Sequence, residues 1–166
     1  MSREQNLRTS RLVFYENDVH RLDSELDTFL ELSSARCALL IDKEGHLVTR
    51  RGEAVGTSME AIAALVAGSF AATKEMARLL GESEFTVMFH QGARDSIQLQ
   101  LVGNRTLMAV LFDERTNMGL VRFYAQEASQ HIETVLKEIS ERPESEGQGL
   151  GDNFSADASA ALENLF

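Results

Sequence analysis

The chain has 166 residues, 43% of them hydrophobic, and a formal net charge of −10. That acidity argues against a nucleic-acid partner, because phosphate binding needs a basic face, and a single cysteine leaves no disulfide framework. No apolar stretch reaches the ~18 residues of a membrane span, and MSREQNLRTSR lacks the apolar segment of a secretion signal. The sequence therefore reads as a cytoplasmic protein with no membrane insertion.

In chain order, a first helix is expected over residues 10–33, where Leu12, Val13, Leu22, Leu26, Phe29, Leu30 and Leu32 keep roughly helical spacing before Ser33 and Ser34 end it. Two short β-rich runs follow, Arg36 to Ile41 and His46 to Arg50. They flank Asp42-Lys43-Glu44-Gly45, whose acidic and glycine residues suit a tight hairpin turn. The one cysteine, Cys37, lies in the apolar run CALLI and reads as a small buried hydrophobe. A polar crossover from Arg51 to Thr57 then leads to the longest helix, Ser58 to Gly81, with Thr57 or Ser58 as its cap.

This long helix organises the rest. Ile62, Leu65, Val66, Thr73, Met76, Leu79 and Leu80 follow a helical period and are expected to lay one stripe on the core. Ala64, Gly68, Ala71, Ala72 and Glu75 follow the same period on another side, where nothing projects beyond a methyl group until the glutamate. A glycine inside a helix costs about 1 kcal/mol relative to alanine, which close approach of a second backbone would offset. The small stripe packs on the chain's own sheet, faces solvent, or meets another chain.

Past Gly81, a candidate left-handed cap, come three strand-like runs: Phe85 to His90, Ser96 to Val102 and Thr106 to Phe112. The turns Gln91-Gly92-Ala93-Arg94 and Gly103-Asn104-Arg105 join them into an antiparallel meander. The run from Leu107 to Phe112 is apolar on both faces and is expected at the centre of the sheet. A last helix, carried by Leu120, Val121, Ala125, Ala128, Ile132, Val135, Leu136 and Ile139, ends near Ser140. The fold class is α+β, with an N-terminal extension over 1–9 and the domain over 10–140.

Residues 141–154 contain the only proline, Pro143, and read as a flexible acidic linker. From Glu141 onward six acidic residues face one Arg142, so half of the chain's charge excess is local. Residues 155–166 place Ala158, Ala161, Leu162, Leu165 and Phe166 on one helical face. A helix this short is marginal alone, so it needs a surface, on its own domain or on a partner, or remains a frayed end.

No chemistry of the chain's own is legible. There is no GxxxxGK[ST] phosphate loop, and the glycines are scattered over turns and helices. His90, Asp95 and Ser96 are close in sequence, but no GxSxG elbow surrounds the serine. His20, His46, His90 and His131 are isolated from one another and from Cys37. No metal, cofactor or catalytic residue is expected, and the chain is not read as an enzyme.

The stretches LLIDKEGHLV, IAALVAGSFAATKEMARLLGE, FHQGARDSIQLQLVGNRTLMAVLFDERTNMGLVR and the terminal ENLF resemble the bacterial MglB family, within the Roadblock/LC7 domains. The resemblance covers residues from about 12 to 140 and, more weakly, the tail. It implies a profilin- or longin-like αββαβββα sandwich with one five-stranded antiparallel sheet, plus the C-terminal tail helix. It also implies a homodimer paired through the edge strand of Phe85, Val87 and Phe89, with the two long helices side by side. On that platform the family binds a small Ras-like GTPase of the MglA type, in bacterial cell polarity and gliding motility, with concentration at the cell poles. Carried onto this chain, the GTPase-binding face is Ala64, Gly68, Ala71, Ala72 and Glu75, and Leu162, Leu165 and Phe166 make a second, tail contact. Arg50, Arg51, Arg94, Arg105 and Arg115 fall at strand ends or turns. The family nevertheless works without an arginine finger, holding the GTPase's switch regions so that its own residues align. The implied function is a GTPase-activating protein. A non-catalytic Roadblock scaffold, which binds the same partner without changing its turnover, remains the alternative.

Overall fold

The computed structural model describes residues 14–53, 56 and 58–142, and the contacts divide the chain into a unit Phe14–Val135 and a second unit made of 1–13 and 136–166. The described residues form three helices and five strands in the order α1 (Glu16–Ser33), β1 (Cys37–Asp42), β2 (Leu47–Gly52), α2 (Met59–Leu79), β3 (Val87–Gln91), β4 (Ser96–Val102), β5 (Thr106–Phe112) and α3 (Met118–Ser140). The second unit is described only where α3 runs on to Ser140, closed by the Glu141 amide donating to the Lys137 carbonyl. The tail residues Leu162, Leu165 and Phe166, and Ala54, Val55 and Thr57 of the crossover, lie outside the described residues.

All five strands pair antiparallel in one sheet of order β2-β1-β5-β4-β3. β5 is central and every one of its residues is buried, as a run apolar on both faces requires. Alternation along the strands separates two layers. Cys37, Leu39 and Ile41 of β1, Leu107, Ala109 and Leu111 of β5 and Leu99 of β4 point toward α2 and pack with its Met59, Ala63, Val66 and Phe70. The alternate residues, such as Ala38, Leu40, Met108 and Val110, point the other way and are equally buried. On that side Asp23 and Asp27 of α1 bind Thr49 and Arg51 of β2, while Gln126 of α3 accepts from Gln100 of β4.

The first helix begins at Glu16, later than its apolar spacing suggests; Phe14 and Tyr15 precede it, and residues 10–13 lie outside the described residues. Tyr15 has extended backbone angles, and its amide donates to the Asp18 carboxylate at 2.9 Å, which satisfies an orphan donor of the first turn. At α2 the Ser58 hydroxyl accepts from the Ala61 amide. Its C-terminus closes in a Schellman turn, with Gly81 at φ +85°, its amide on the Arg78 carbonyl and the Glu82 amide on the Ala77 carbonyl.

The core stripe of α2 is not the one its large residues suggest. Met59, Ala63, Val66, Ala67, Phe70 and Ala77 are buried, with Ile62 and Thr73 half-buried. Leu65, Met76, Leu79 and Leu80 are instead exposed, by 57% to 78% of their surface. The helix seats itself with Met59 and Phe70 as anchors, and the alanines between them let its backbone lie close to the sheet. The residues that recur with Leu65 are rotated away by that choice. β3 also starts later than expected, at Val87, so Phe85 precedes the edge strand rather than belonging to it.

Candidate functional site

The outer face of α2 contains all five residues of the small stripe, Ala64, Gly68, Ala71, Ala72 and Glu75, and all five are exposed. Among the described residues nothing lies within 4 Å of where a Cβ on Gly68 would sit, so none of them uses the approach that this glycine permits. Glu75 is held by Arg78, three residues on, through its Nε at 3.1 Å. The charge of Glu75 is therefore balanced at close range by Arg78.

Two contacts orient the flanks of this face. A Cβ on Gly45, in the β1–β2 turn, would come within 3.1 Å of the Ala64 Cα, so one flank of α2 leans over that turn. The Thr73 hydroxyl lies 3.0 Å from the Met88 sulfur on β3, so the opposite flank, further along the helix, approaches the other side of the sheet. The helix thus crosses the sheet obliquely. At about 100° per residue, Leu65, Met76 and Leu80 lie on the flank turned toward β3, while Ala64 and Ala71 lie on the flank turned toward the β1–β2 turn. The exposed face has a large apolar side next to β3 and a small side away from it.

β3 is an edge of the sheet. The Leu101 amide donates to the Thr86 carbonyl and the Gly92 amide to the Asp95 carbonyl, which fixes the alternation. Met88 and His90 turn their backbone groups toward β4, and Val87, Phe89 and Gln91 turn theirs outward. Phe89 is 37% exposed and stacks on Phe112 at 5.8 Å between ring centroids. Of the three residues expected at this edge, Val87 and Phe89 are on the strand and Phe85, half-buried, is ahead of it. The opposite edge, β2, carries Arg50 and Arg51 and is lined by α1.

The arginines sort by the same geometry. Arg51 holds Asp27 through two bonds of 2.8 and 2.9 Å. Arg115 grips Glu53 at 2.7 Å and Asp113 at 3.0 Å, and both carboxylates are held below their usual range, with Arg115 the leading cause in each case. Arg50 pairs with Leu39 in register and so shares the α2 side of the sheet. Arg94 and Arg105 sit beside the β3–β4 and β4–β5 turns.

No catalytic arrangement forms around the serine. His90 pairs with Ile97 and points toward α2, whereas Ser96 points to the other face and Asp95 is taken by Arg36. Burial pushes the Cys37 thiol up, which keeps it a poor nucleophile. Asp42, Glu44 and His46 place their ligand atoms within 4.8 Å of one another, a proximity the sequence reading missed. The hairpin accounts for it: Asp42 accepts from the amides of Glu44 and His46 at 3.0 and 2.9 Å, as an Asp closing its own turn does.

The Roadblock/LC7 domain profile matches residues 22–112. Among solved structures, MglB of Myxococcus xanthus is 34% identical with a TM-score of 0.73, and covers 79% of this chain and 98% of its own. The gliding protein MglB of Thermus thermophilus is 33% identical at the same TM-score, covering 76% of this chain and 96% of its own. The chain belongs to the Roadblock/LC7 family, as one of its MglB proteins. A further MglB, described in a tetrameric arrangement, is 31% identical at a TM-score of 0.73 and covers 77% of this chain and 96% of its own. A comparison with curated protein sequences returned no match. A Roadblock/LC7 domain of Streptomyces avermitilis, 14% identical with a TM-score of 0.63, shares the fold alone. Both MglB relatives named first are covered almost completely, so the match is to the whole Roadblock/LC7 unit, sheet edge and long helix included. Among the described residues, no helix is long and apolar enough to cross a membrane.

Proposed function

We propose that this MglB-family chain is a homodimeric activator of a small Ras-like GTPase of the MglA type, binding it on the paired α2 helices. The observation that carries the reading is the outer face of α2: long, exposed, and divided into a large apolar flank beside β3, an edge strand among the described residues, and a small-residue flank away from it. Pairing of β3 with β3 of a second copy satisfies the outward backbone groups of Val87, Phe89 and Gln91. A two-fold axis there brings the two α2 helices to the same surface. It also turns the flank of Leu65, Met76 and Leu80 toward the partner helix. Ala64, Gly68, Ala71 and Ala72 stay open, where a GTPase switch loop can lie against the backbone.

Activation then works by selection of a conformer. The platform binds the catalytically aligned GTPase more tightly than the misaligned one and shifts its population by that difference. The reading invokes no projecting arginine, and of the arginines at strand ends and turns Arg51 and Arg115 are engaged in ion pairs. Site of action at the cell pole and the tail contact of Leu162, Leu165 and Phe166 belong to the same proposal.

Single-turnover GTP hydrolysis by an MglA-type GTPase, with this protein in excess, tests it. An acceleration that Ala71→Arg abolishes while the dimer persists is the expected result. Binding without acceleration assigns the scaffold role instead, and binding undisturbed by Ala71→Arg removes the small flank from the contact.

A further inference from the structure

Five charged residues, far apart in sequence, meet at one end of the sheet, and GTPase binding on α2 gives them no task. Arg36 stands just before β1, with its amide on the Leu111 carbonyl of β5. Its Nη1 donates to Asp95 at 2.7 Å, its Nε donates to Glu53 at 3.1 Å, and Asp113 lies 3.8 Å from the same Nε. Arg115 joins the other ends of this group, holding Glu53 and Asp113 together. The Arg36 side chain is 22% exposed, enough to stay solvated yet held from several sides.

The backbone delivers these groups where they are needed. Gly52 ends β2 at φ +105°, and a Cβ there would sit 2.4 Å from the Arg36 carbonyl oxygen. Only glycine permits that approach, and the next residue, Glu53, is thereby placed on Arg36, with its amide on the Arg36 carbonyl at 2.8 Å. Gly92 does the same for the β3–β4 turn: a Cβ there would meet the Asp95 carbonyl oxygen at 2.5 Å, so the turn closes tightly and presents Asp95. In the strand order, β5 and β4 lie between β1 and β3. Asp95 immediately precedes β4, so the Arg36–Asp95 pair crosses β5 and fastens the β4 end of the edge hairpin to the start of β1.

We propose that Arg36 is a positioning residue for the β3 edge, holding the β3–β4 turn through Asp95 so that β3 is presented to a second copy at a fixed angle. This rests on the homodimer reading. One exposed ion pair is worth little by itself. Each dimer contains the pair twice, however, and the network around Arg36 orders its side chain before Asp95 is engaged.

The test is a double-mutant cycle with Arg36→Gln, Asp95→Asn and the double variant, read by sedimentation for dimer dissociation and by amide hydrogen exchange over residues 89–95. Each single variant is expected to weaken the dimer about threefold to tenfold and to speed exchange in the turn, with exchange in β1 unchanged. The double variant is expected to lose no more than the worse single one, because both remove the same contact. Losses that add, or an Asp95→Asn dimer and turn indistinguishable from wild type, overturn the proposal. Asp95 is more than half exposed, so that variant keeps its fold even if Arg36→Gln does not. Wild-type protein that sediments as a monomer throughout fails differently: it removes the dimer reading, and the positioning role with it.

Discussion

The two edges of this sheet face the same hazard and answer it in opposite ways. β2 carries Arg50 and Arg51, ends in Gly52 and lies along α1, whose Asp23 and Asp27 bind Thr49 and Arg51. β3 offers Val87, Met88, Phe89, His90 and Gln91, without a formal charge unless His90 is protonated, and its outward backbone groups have no strand beside them among the described residues. Natural proteins blunt an exposed edge with charge or cover. Here one edge is blunted and the other is left adhesive, with the large apolar flank of α2 standing next to it. The proposed β3–β3 pairing would cover this edge together with exposed Met76 and Leu80.

The sharpest way to break that contrast is Val87→Pro. The Val87 amide points away from β4, so the substitution removes an outward donor while leaving the internal ladder intact. Two inter-subunit hydrogen bonds are lost per dimer and their acceptors are left unpaired, so dissociation is expected to rise roughly a hundredfold by sedimentation, with an unchanged circular dichroism spectrum. Met88→Pro, one residue on, strikes the ladder to β4 and is expected to lower the melting temperature as well.

The two sides of α2 permit a second comparison. Phe70 is only 6% exposed and belongs to the core cluster with Leu39 and Leu99 of the sheet. Phe70→Ala empties that position and is expected to cost about 3–5 kcal/mol in denaturant unfolding. Leu80→Ala, on a residue 72% exposed, is expected to leave the monomer within about 0.5 kcal/mol while weakening the dimer several-fold. On β2, Arg50→Val removes a protecting charge from the α2 side of the edge; a modest rise in higher oligomers, seen by light scattering, is the expected outcome.

The smallest effect is pH-dependent. Glu53 and Asp113 have folded-state pKa values below their ordinary ones because Arg115 and Arg36 bind their charged forms. Their contribution is present above the unfolded values, about 4 for such carboxylates, and is lost as pH falls through the lower folded values. Acidification below about pH 4 should therefore loosen the hold of Arg115 and Arg36 on Glu53 and Asp113, visible as broadened amide resonances just past β2 and just past β5.

Much of the fold was legible in the sequence. Element order, the hairpin turn at Asp42 to Gly45, the Ser58 cap, Gly81 and the central place of Leu107 to Phe112 each follow from local chemistry: period, turn residues and caps. The seating of α2 was not legible, because its large residues are divided between two purposes and periodicity counts them alike. Phe70 and Met59 face the sheet while Leu65, Met76 and Leu80 face outward. The cluster of Arg36, Glu53, Asp95, Asp113 and Arg115 was hidden for another reason. Arg36 and Asp95 are 59 positions apart, and only the strand order brings them together. The quoted stretches FHQGARDS and LFDERT do contain Asp95, Asp113 and Arg115, so the signal was present without its geometry.

The most direct test of the central claim is amide hydrogen exchange on this protein alone and with a GTP-loaded MglA-type GTPase. Protection of β3 at Val87, Phe89 and Gln91 is expected to depend on protein concentration but not on the GTPase, with added protection of residues 64–75 of α2 when the GTPase binds. Protection that appears instead on β2 and α1, with α2 unchanged, would contradict that claim.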